Sequence, residues 1–163
     1  MIILLVIMLV ILFGALGFGF ASYYIIRKKF FNSLNTLLIQ IKSNINFNSK
    51  RVSEILSENQ TSNSNLSKML ENYKESLTNS DSISKEHLFR GINFLLEQEK
   101  ESIFNFFSSL GKVDVFNQVE QIESFLKTNL EYYENASKQC AKNCVLYTKL
   151  GILLGLFVSL LII

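Results

Sequence analysis

Proline and tryptophan are absent from this 163-residue chain, and histidine occurs only once. Because proline interrupts helices, a chain without it can be helical nearly throughout. One histidine, His87, supports neither a Ser-His-Asp arrangement nor a His-rich metal site, and we expect it to have a surface or helix-cap role. Phosphate-binding glycine loops and nucleophile elbows are missing as well. The sequence therefore predicts a protein that is not an enzyme and uses no cofactor or metal ion.

Charge is missing from both ends of the chain, since all 16 Lys and Arg and all 14 Asp and Glu fall between Arg27 and Lys149. The net charge of +2 is too small to indicate a nucleic acid partner. Uncharged ends around a charged middle are typical of a soluble domain between two membrane segments. We expect transmembrane helices at residues 1–26 and 144–163, with a helical domain at residues 27–143 between them.

Residues 2–26 form the first predicted membrane segment, which is apolar except for its glycines, Ser22 and two tyrosines. A helix of this length reaches across a hydrocarbon core of roughly 30 Å. Three of its glycines can allow close approach of another helix: Gly14, Gly17 and Gly19. A cleaved signal peptide is the alternative, because residues 19–21 offer a small-x-small site, although the usual basic start is missing.

Six basic residues decide the predicted topology, because basic flanks of membrane segments lie in the cytoplasm. Three of them follow the first segment and three precede the uncharged end of the second: Arg27, Lys28, Lys29, Lys138, Lys142 and Lys149. The middle domain is therefore expected in the cytoplasm, with both termini outside.

The second membrane segment is short, because the uncharged residues 150–163 cover only about 21 Å as a helix. A full span has to begin near Cys144, with the side chain of Lys149 reaching back to the membrane surface. We predict such a span over residues 144–163. A segment that embeds without crossing is the alternative.

Apolar side chains at helical spacing predict an all-α protein, with a helical bundle as its cytoplasmic domain. Beyond the first membrane segment, four helices share this pattern: residues 31–47, 66–77, 84–109 and 113–163. The last of them would run down into the bilayer. Residues 97–101 are so polar that we expect a kink or a break there, and loops are predicted at residues 57–65 and 78–82.

The last predicted helix carries a stripe on one face, in steps of three and four residues. The stripe consists of Val115, Val119, Ile122, Leu126, Leu130, Tyr133, Ser137, Cys140 and Cys144. The predicted core combines part of this stripe with residues of the other helices. It consists of Leu34, Leu38, Ile41, Ile45, Leu66, Leu70, Leu95, Phe104, Val119, Ile122, Leu126 and Leu130.

Two residues are expected to form the joint before the last helix. Gly111 can end the preceding helix, because glycine adopts backbone angles that other residues resist. Asp114 can cap the start of the last helix by accepting hydrogen bonds from its first amides.

Cys140 and Cys144 share a helical face, and two thiolates could hold half of a zinc site completed by a second chain. Packing as small apolar residues is the alternative that a reducing cytoplasm favours. Glu97, Glu99 and Glu101 alternate with Lys and Gln, which is typical of a solvated helix face rather than of catalytic carboxylates.

The chain is rich in aromatic residues, with 14 Phe and 6 Tyr. Phe104, Phe106 and Phe107 cluster before the joint, and Phe116 and Phe125 lie on the last helix. Some of them build the core, and others can dock a partner, because aromatic residues are enriched at interfaces.

Two motifs lie in the final third of the chain. Residues 106–114, Phe-Phe-Ser-Ser-Leu-Gly-Lys-Val-Asp, followed by Gln118, are similar to the pattern FGxxLGxxD…Q. Residues 146–156, Leu-Tyr-Thr-Lys-Leu-Gly-Ile-Leu-Leu-Gly-Leu, are similar to LYxxLGxLxGL. Both patterns are typical of the stage III sporulation protein AB family, which this chain resembles. Phe107 replaces the first glycine of the first pattern, and residues 44–47, Asn-Ile-Asn-Phe, depart from the family's Glu-Ile-x-Tyr.

The motif positions supply the candidate structural and interaction residues: Leu110, Gly111, Asp114, Gln118, Tyr147, Leu150, Gly151 and Gly155. The resemblance implies a membrane protein of the mother cell in endospore-forming bacteria. Its cytoplasmic bundle would be similar to the F-type platform protein of type II secretion and type IV pilus machines.

Such a platform docks a cytoplasmic assembly ATPase, here a stage III sporulation protein AA-like ATPase. The resemblance also implies other stage III channel subunits as partners. The apolar ends predict the lipid bilayer as a partner, and a second copy of the chain is a further candidate. The channel joins mother cell and forespore. The alternative is a membrane-anchored helical scaffold that self-associates through the stripe on the last helix without a motor partner.

Overall fold

The computed structural model describes residues 2–48, 61–78, 83–112 and 114–162. Within these ranges the chain forms helices α1 (Ile2–Asn48), α2 (Ser64–Thr78), α3 (Lys85–Leu88), α4 (Glu97–Ser109) and α5 (Val115–Ile162). No strand occurs in the described ranges, so the predicted all-α fold is confirmed. Of the predicted loop at residues 57–65, residues 61–63 are described and are not helical, whereas Ser64 and Asn65 begin α2, so the loop prediction is wrong for these two. Residues 57–60 and 79–82 of the two predicted loops lie outside the described residues, as does Val113.

Helix α1 is a single helix of 47 residues. The prediction of a new helix beginning at residue 31 is therefore wrong. Neither proline nor glycine occurs between Gly19 and the end of α1, so nothing interrupts the ladder of backbone hydrogen bonds. Arg27 and Phe30 lie within this stretch and are buried, at 3% and 0% exposure.

The chain divides into two compact units. The apolar unit comprises Met1–Lys28 and Glu134–Ile163, and the bundle unit comprises Lys29–Tyr133. Helices α1 and α5 each contribute residues to both units. The bundle unit is therefore shorter at its C-terminal end than the predicted domain of residues 27–143.

The core of the bundle unit contains most of the apolar residues that periodicity predicts. Eight predicted core residues are buried: Leu34, Leu38, Ile41, Ile45, Leu66, Leu70, Leu95 and Ile122. Phe104, Val119 and Leu126 are half-buried. Two aromatic residues of α1, Phe30 and Phe31, are completely buried in addition.

The buried stripe of α5 in the bundle unit differs from the predicted one. Its buried members are Gln118, Ile122, Phe125 and Asn129. Leu130 is 48% exposed, so its predicted place in the core is wrong. Asn129 is fully buried instead, and its side-chain amide donates to the backbone oxygen of Phe31 at 3.1 Å. This hydrogen bond satisfies a polar group where the sequence pattern favours leucine.

The predicted helix at residues 84–109 is interrupted, but not at the polar residues 97–101. The chain leaves the helix after Leu88 and becomes helical again at Glu97, so the polar run forms the first turn of α4. Gly91 lies in the connection at φ +77°, an angle that favours glycine. The connection packs into the core of the bundle unit through four buried apolar residues: Phe89, Ile92, Phe94 and Leu95.

Helices α1 and α5 pack closely in the apolar unit through glycine. A Cβ on Gly155 would lie 2.8 Å from the Cα of Val10, and a Cβ on Gly17 would lie 3.2 Å from the Cα of Gly151. The predicted close approach is therefore confirmed at Gly17. It is not seen at Gly14, where the nearest atom would be 3.9 Å away, nor at Gly19, which has nothing within 4 Å.

Two helical stretches are long and apolar enough to cross a membrane, Val6–Ile45 and Phe116–Leu161. Only 11% and 17% of their most apolar windows is buried, whereas the core helix of a soluble protein is mostly buried. Large apolar side chains such as those of Phe18, Leu153 and Leu160 are exposed instead. This combination indicates insertion into a membrane.

Candidate functional site

The first motif forms the joint between α4 and α5. The amide of Leu110 donates to the carbonyl of Phe106 at 3.1 Å, and the amide of Lys112 donates to the carbonyl of Ser109 at 3.2 Å. Gly111 has φ +81°, which side-chain-bearing residues rarely adopt. Nothing lies within 4 Å of the position that its Cβ would take. The backbone angle, rather than lack of space, therefore favours glycine.

Asp114 caps α5. Its Oδ2 accepts a hydrogen bond from the backbone amide of Asn117 at 3.4 Å, and its Oδ1 accepts one from the Asn117 side-chain amide. Both hydrogen bonds lower the pKa of Asp114, and the one from the Asn117 side chain has the larger effect. A carboxylate at this position also faces the positive end of the helix dipole. The expected cap is therefore present.

Aromatic rings surround the end of α4. The rings of Phe106 and Phe125 are stacked with centroids 4.2 Å apart. Tyr73 packs against Phe107 at 5.1 Å, and its hydroxyl donates to the Phe107 carbonyl at 3.1 Å. Burial raises the pKa of Tyr73. The expectation that some aromatic residues build the core is met by these four residues, which fasten α2, α4 and α5 together.

Gln118 lies one turn into α5 and is only 6% exposed. Its backbone amide donates to the carbonyl of Asp114 at 2.9 Å. Its side-chain nitrogen, Nε2, has no hydrogen-bond partner in the described part of the chain. An unpaired buried polar atom costs about 1–3 kcal/mol. This motif position thus holds a buried polar side chain whose amide nitrogen is left unpaired by the described residues.

The second motif lies in the apolar unit. The ring of Tyr147 stacks on that of Tyr24 at 5.9 Å. Gly151 and Gly155 are buried against α1, whereas Leu150 is 43% exposed. Tyr147, Gly151 and Gly155 therefore pack α5 against α1, whereas Leu150 points away from α1.

The two cysteines are also in the apolar unit, with their sulfur atoms 3.2 Å apart. Cys144 Sγ lies 3.5 Å from the carbonyl oxygen of Ala21 on α1. Among the described residues, no group of three or more His, Cys, Asp or Glu could hold a metal ion. The contact between Cys144 and Ala21 agrees with the alternative in which the cysteines pack as small apolar residues.

His87 lies at the short helix α3. Its backbone amide donates to Ser84 Oγ at 3.3 Å, so that Ser84 caps the helix. Its Nδ1 lies 3.2 Å from Ser76 Oγ, and its Nε2 lies 3.5 Å from a carboxylate oxygen of Glu75. The ring is half-buried. These neighbours give His87 a structural place between α2 and α3.

The carboxylates of α4 do not all lie on a solvated face. Lys85 bridges Glu97 and Glu101, at 2.5 Å and 2.8 Å, and its hydrogen bond lowers the pKa of Glu97. Glu99, however, is only 2% exposed, and its Oε2 accepts a hydrogen bond from the backbone amide of Leu96 at 2.9 Å. The prediction of a solvated face is therefore wrong for Glu99, which caps α4.

The eight motif residues thus form two groups, one in each unit. Their contacts within the chain are structural, and their contribution to partner binding stays a prediction. Phe116 belongs to neither motif pattern, yet it is 77% exposed beside the α4–α5 joint. Of the two aromatic residues of α5 expected to be core or docking residues, Phe125 is buried and Phe116 is not.

These features define an all-α protein with two helices suited to membrane insertion and a compact bundle between them in the sequence. The sequence profile of stage III sporulation protein AB matches residues 2–163. The chain therefore belongs to the stage III sporulation protein AB family, as its two motifs predict. Searches of curated proteins and of solved structures give no match.

Proposed function

We propose that this chain is a membrane platform subunit of the channel between mother cell and forespore. In this role the bundle unit docks a stage III sporulation protein AA-like ATPase, and the apolar unit meets other channel subunits. The observation that carries the proposal is a compact bundle, Lys29–Tyr133, flanked in sequence by two apolar helical segments in a stage III sporulation family. The role is binding and assembly, without catalysis by this chain.

The proposed location is the mother-cell membrane, with the bundle unit in the cytoplasm and both termini outside. Basic residues support this topology, because Arg27 and Lys28 end the first half of the apolar unit and Lys138 and Lys142 begin the second. Basic flanks are retained on the cytoplasmic side of membranes. A cytoplasmic ATPase could reach a bundle on that side.

The outward face of α5 is the proposed docking surface. It consists of Phe116, Glu120, Glu123, Lys127 and Leu130, all of which are exposed and separated by steps of four and three residues. The face is about 21 Å long. Exposed aromatic side chains are typical anchors of protein interfaces. Glu123 pairs with Lys42 at 2.6 Å, so the charges of this face are nearly balanced and the exposed Phe116 is its main anchor. The matching partner surface would offer an apolar pocket for Phe116.

Co-purification from membranes of sporulating cells tests the docking. The full-length wild-type chain is expected to recover the ATPase, and Phe116→Ala should lower the recovery at least ten-fold, as loss of an interface anchor does (about 1.4 kcal/mol or more). Leu77→Ala is the matched control, because Leu77 is 48% exposed but lies on α2. Equal recovery by Phe116→Ala and wild type would show that another surface docks the ATPase.

Self-association through the predicted stripe of α5 remains the second candidate. The stripe is used largely inside the chain, since Ile122 is fully buried and Cys144 contacts Ala21. This internal packing favours the platform over the scaffold. If wild-type chains recovered no ATPase but cross-linked to one another through α5, the scaffold would be the correct function.

A further inference from the structure

One face of α5 in the apolar unit combines a basic row with an apolar row. Lys138, Lys142 and Lys149 are exposed, and steps of four and seven residues keep them on one helical face. The same face continues with three exposed leucines in steps of four, three and four residues: Leu153, Leu156 and Leu160, at 60%, 49% and 77% exposure. The lysines therefore lead directly into a row of apolar side chains along one surface.

Acidic neighbours are almost missing around these lysines. The apolar unit, Met1–Lys28 and Glu134–Ile163, contains five basic residues and a single acidic one, Glu134. None of the three lysines forms an ion pair with another described residue. Other lysines behave differently, because Lys42 and Lys85 pair with glutamates. The positive charge of this face is therefore not neutralised within the described chain, and an external anion can bind there.

We propose that the three lysines form a binding site for the phosphate groups of anionic phospholipids in the bilayer. The lipid's acyl chains would lie along the leucine row that follows Lys149. Lysine is a flexible point charge, which suits a mobile phosphate group better than a fixed bidentate partner. The basic row spans about 16 Å of helix. Lys149 would therefore contact phosphates at the membrane surface, and Lys138 would lie farther from the bilayer, where it is attracted by the negative charge of other lipids in the leaflet.

An anionic lipid fits this face better than an acidic protein does. The apolar row continues the basic row without a break, and a phospholipid joins charge and hydrocarbon in the same order. Each juxtamembrane lysine raises the affinity for an anionic leaflet by a factor of roughly five. The site rests on the membrane insertion that is part of the proposed function, but it is independent of the ATPase.

Reconstitution of the full chain into phosphatidylcholine vesicles tests the site. Spin-labelled phosphatidylglycerol and spin-labelled phosphatidylcholine are compared by the fraction of label that the protein immobilises. The wild-type chain is expected to prefer phosphatidylglycerol roughly five-fold or more, and the preference should fall in about 1 M salt.

Three variants with matched charge changes complete the test. K138Q/K142Q/K149Q should lower the preference for phosphatidylglycerol to near one, whereas K138R/K142R/K149R should retain it. K68Q/K74Q/K112Q, which removes the same charge from the bundle unit, should show the wild-type lipid preference. Circular dichroism verifies that each variant is helical.

Each failure has its own meaning. A glutamine variant that keeps the full preference, or a control that loses it equally, would overturn the site. Wild-type chains that float with vesicles but show no preference would overturn the site alone. Wild-type chains that do not float with vesicles would overturn membrane insertion, and with it both the site and the proposed function.

Discussion

Gly17 and Gly151 approach each other so closely that a side chain on either one would strike the backbone of the opposite helix. A Cβ on Gly17 would lie 2.5 Å from the carbonyl oxygen of Tyr147, and a Cβ on Gly151 would lie 2.6 Å from that of Phe13. Both obstacles are backbone atoms, which no side-chain rotation can move. The packing of α1 on α5 in the apolar unit therefore depends on glycine at both positions.

Gly17→Leu is expected to separate the two helices of the apolar unit. Overpacking of this kind costs about 1–3 kcal/mol, and here only a backbone shift can accommodate the added atoms. Thermal unfolding of the full chain in detergent, followed by circular dichroism, should show a lower midpoint. Gly19→Leu is the matched control on the same helix, because nothing lies within 4 Å of its Cβ position. Equal midpoints for the two variants would contradict the close contact.

Asp114→Ala is expected to lower the midpoint of thermal unfolding of the bundle unit by a few degrees, because α5 loses its cap. Asp114→Asn keeps the acceptor oxygen but removes the charge. Hydrogen bonds lower the pKa of Asp114 below its usual value of 3.8. The largest effect comes from the Asn117 side-chain amide, and the next from the Asn117 backbone amide. A lowered folded-state pKa stabilises the protein above 3.8, and this contribution is lost as the pH falls through the folded-state value.

Unfolding midpoints of wild type and Asp114→Asn between pH 7 and pH 2 measure this contribution. The difference between the two should be constant at neutral pH and shrink below about pH 4. Other carboxylates titrate in both proteins and cancel in the comparison. A difference that does not depend on pH would exclude a role for the Asp114 charge.

Asn129→Leu is expected to stabilise the bundle unit by about 1 kcal/mol, because an unpaired buried polar atom is replaced by an apolar one. Asn129 Oδ1 is buried without a hydrogen-bond partner in the described structure, although its amide nitrogen bonds to Phe31. Urea unfolding gives the free energy difference. Leu130→Asn is the neighbouring control and should be nearly neutral, since Leu130 is 48% exposed. If Leu130→Asn were the more damaging change, the observed register of α5 would be wrong.

Glu99→Ala is expected to destabilise the bundle unit by about 1 kcal/mol, because the amide of Leu96 loses its buried acceptor. Glu101→Ala is the control on the same helix, because it removes only a solvent-exposed ion pair with Lys85, which contributes little to stability. Chemical denaturation of both variants gives the comparison. An equal loss in both would place Glu99 on the solvated face.

Local patterns predict much of this fold. The apolar spacing of α2 and the long proline-free run of α5 specify helices within the chain segment itself, so their presence can be read directly. Gly111 and Asp114 are predictable for the same reason, because a helix end is determined by its own few residues. Each of these features depends on neighbours along the chain.

What the sequence does not predict depends on distant contacts. The burial of Asn129 requires the carbonyl of Phe31, 98 residues away. The continuity of α1 past Arg27 is missed for a different reason, because basic residues indicate where a lipid boundary lies but do not interrupt a helix. Whether Phe116 is exposed or buried follows from the packing of the whole bundle, so an aromatic pattern alone leaves both possibilities open.

The glycine contact between α1 and α5 also bears on the fate of the N-terminal residues. Proteolysis after Ala21 would remove the surface on which Gly151 and Gly155 rest and would leave a furrow of exposed peptide groups along α5. The peptide groups would keep their hydrogen bonds within α5, but lipid chains would have to replace the closely packed surface of α1. The first segment therefore supplies the surface that fits the glycine face of α5, and its removal would expose that face to lipid.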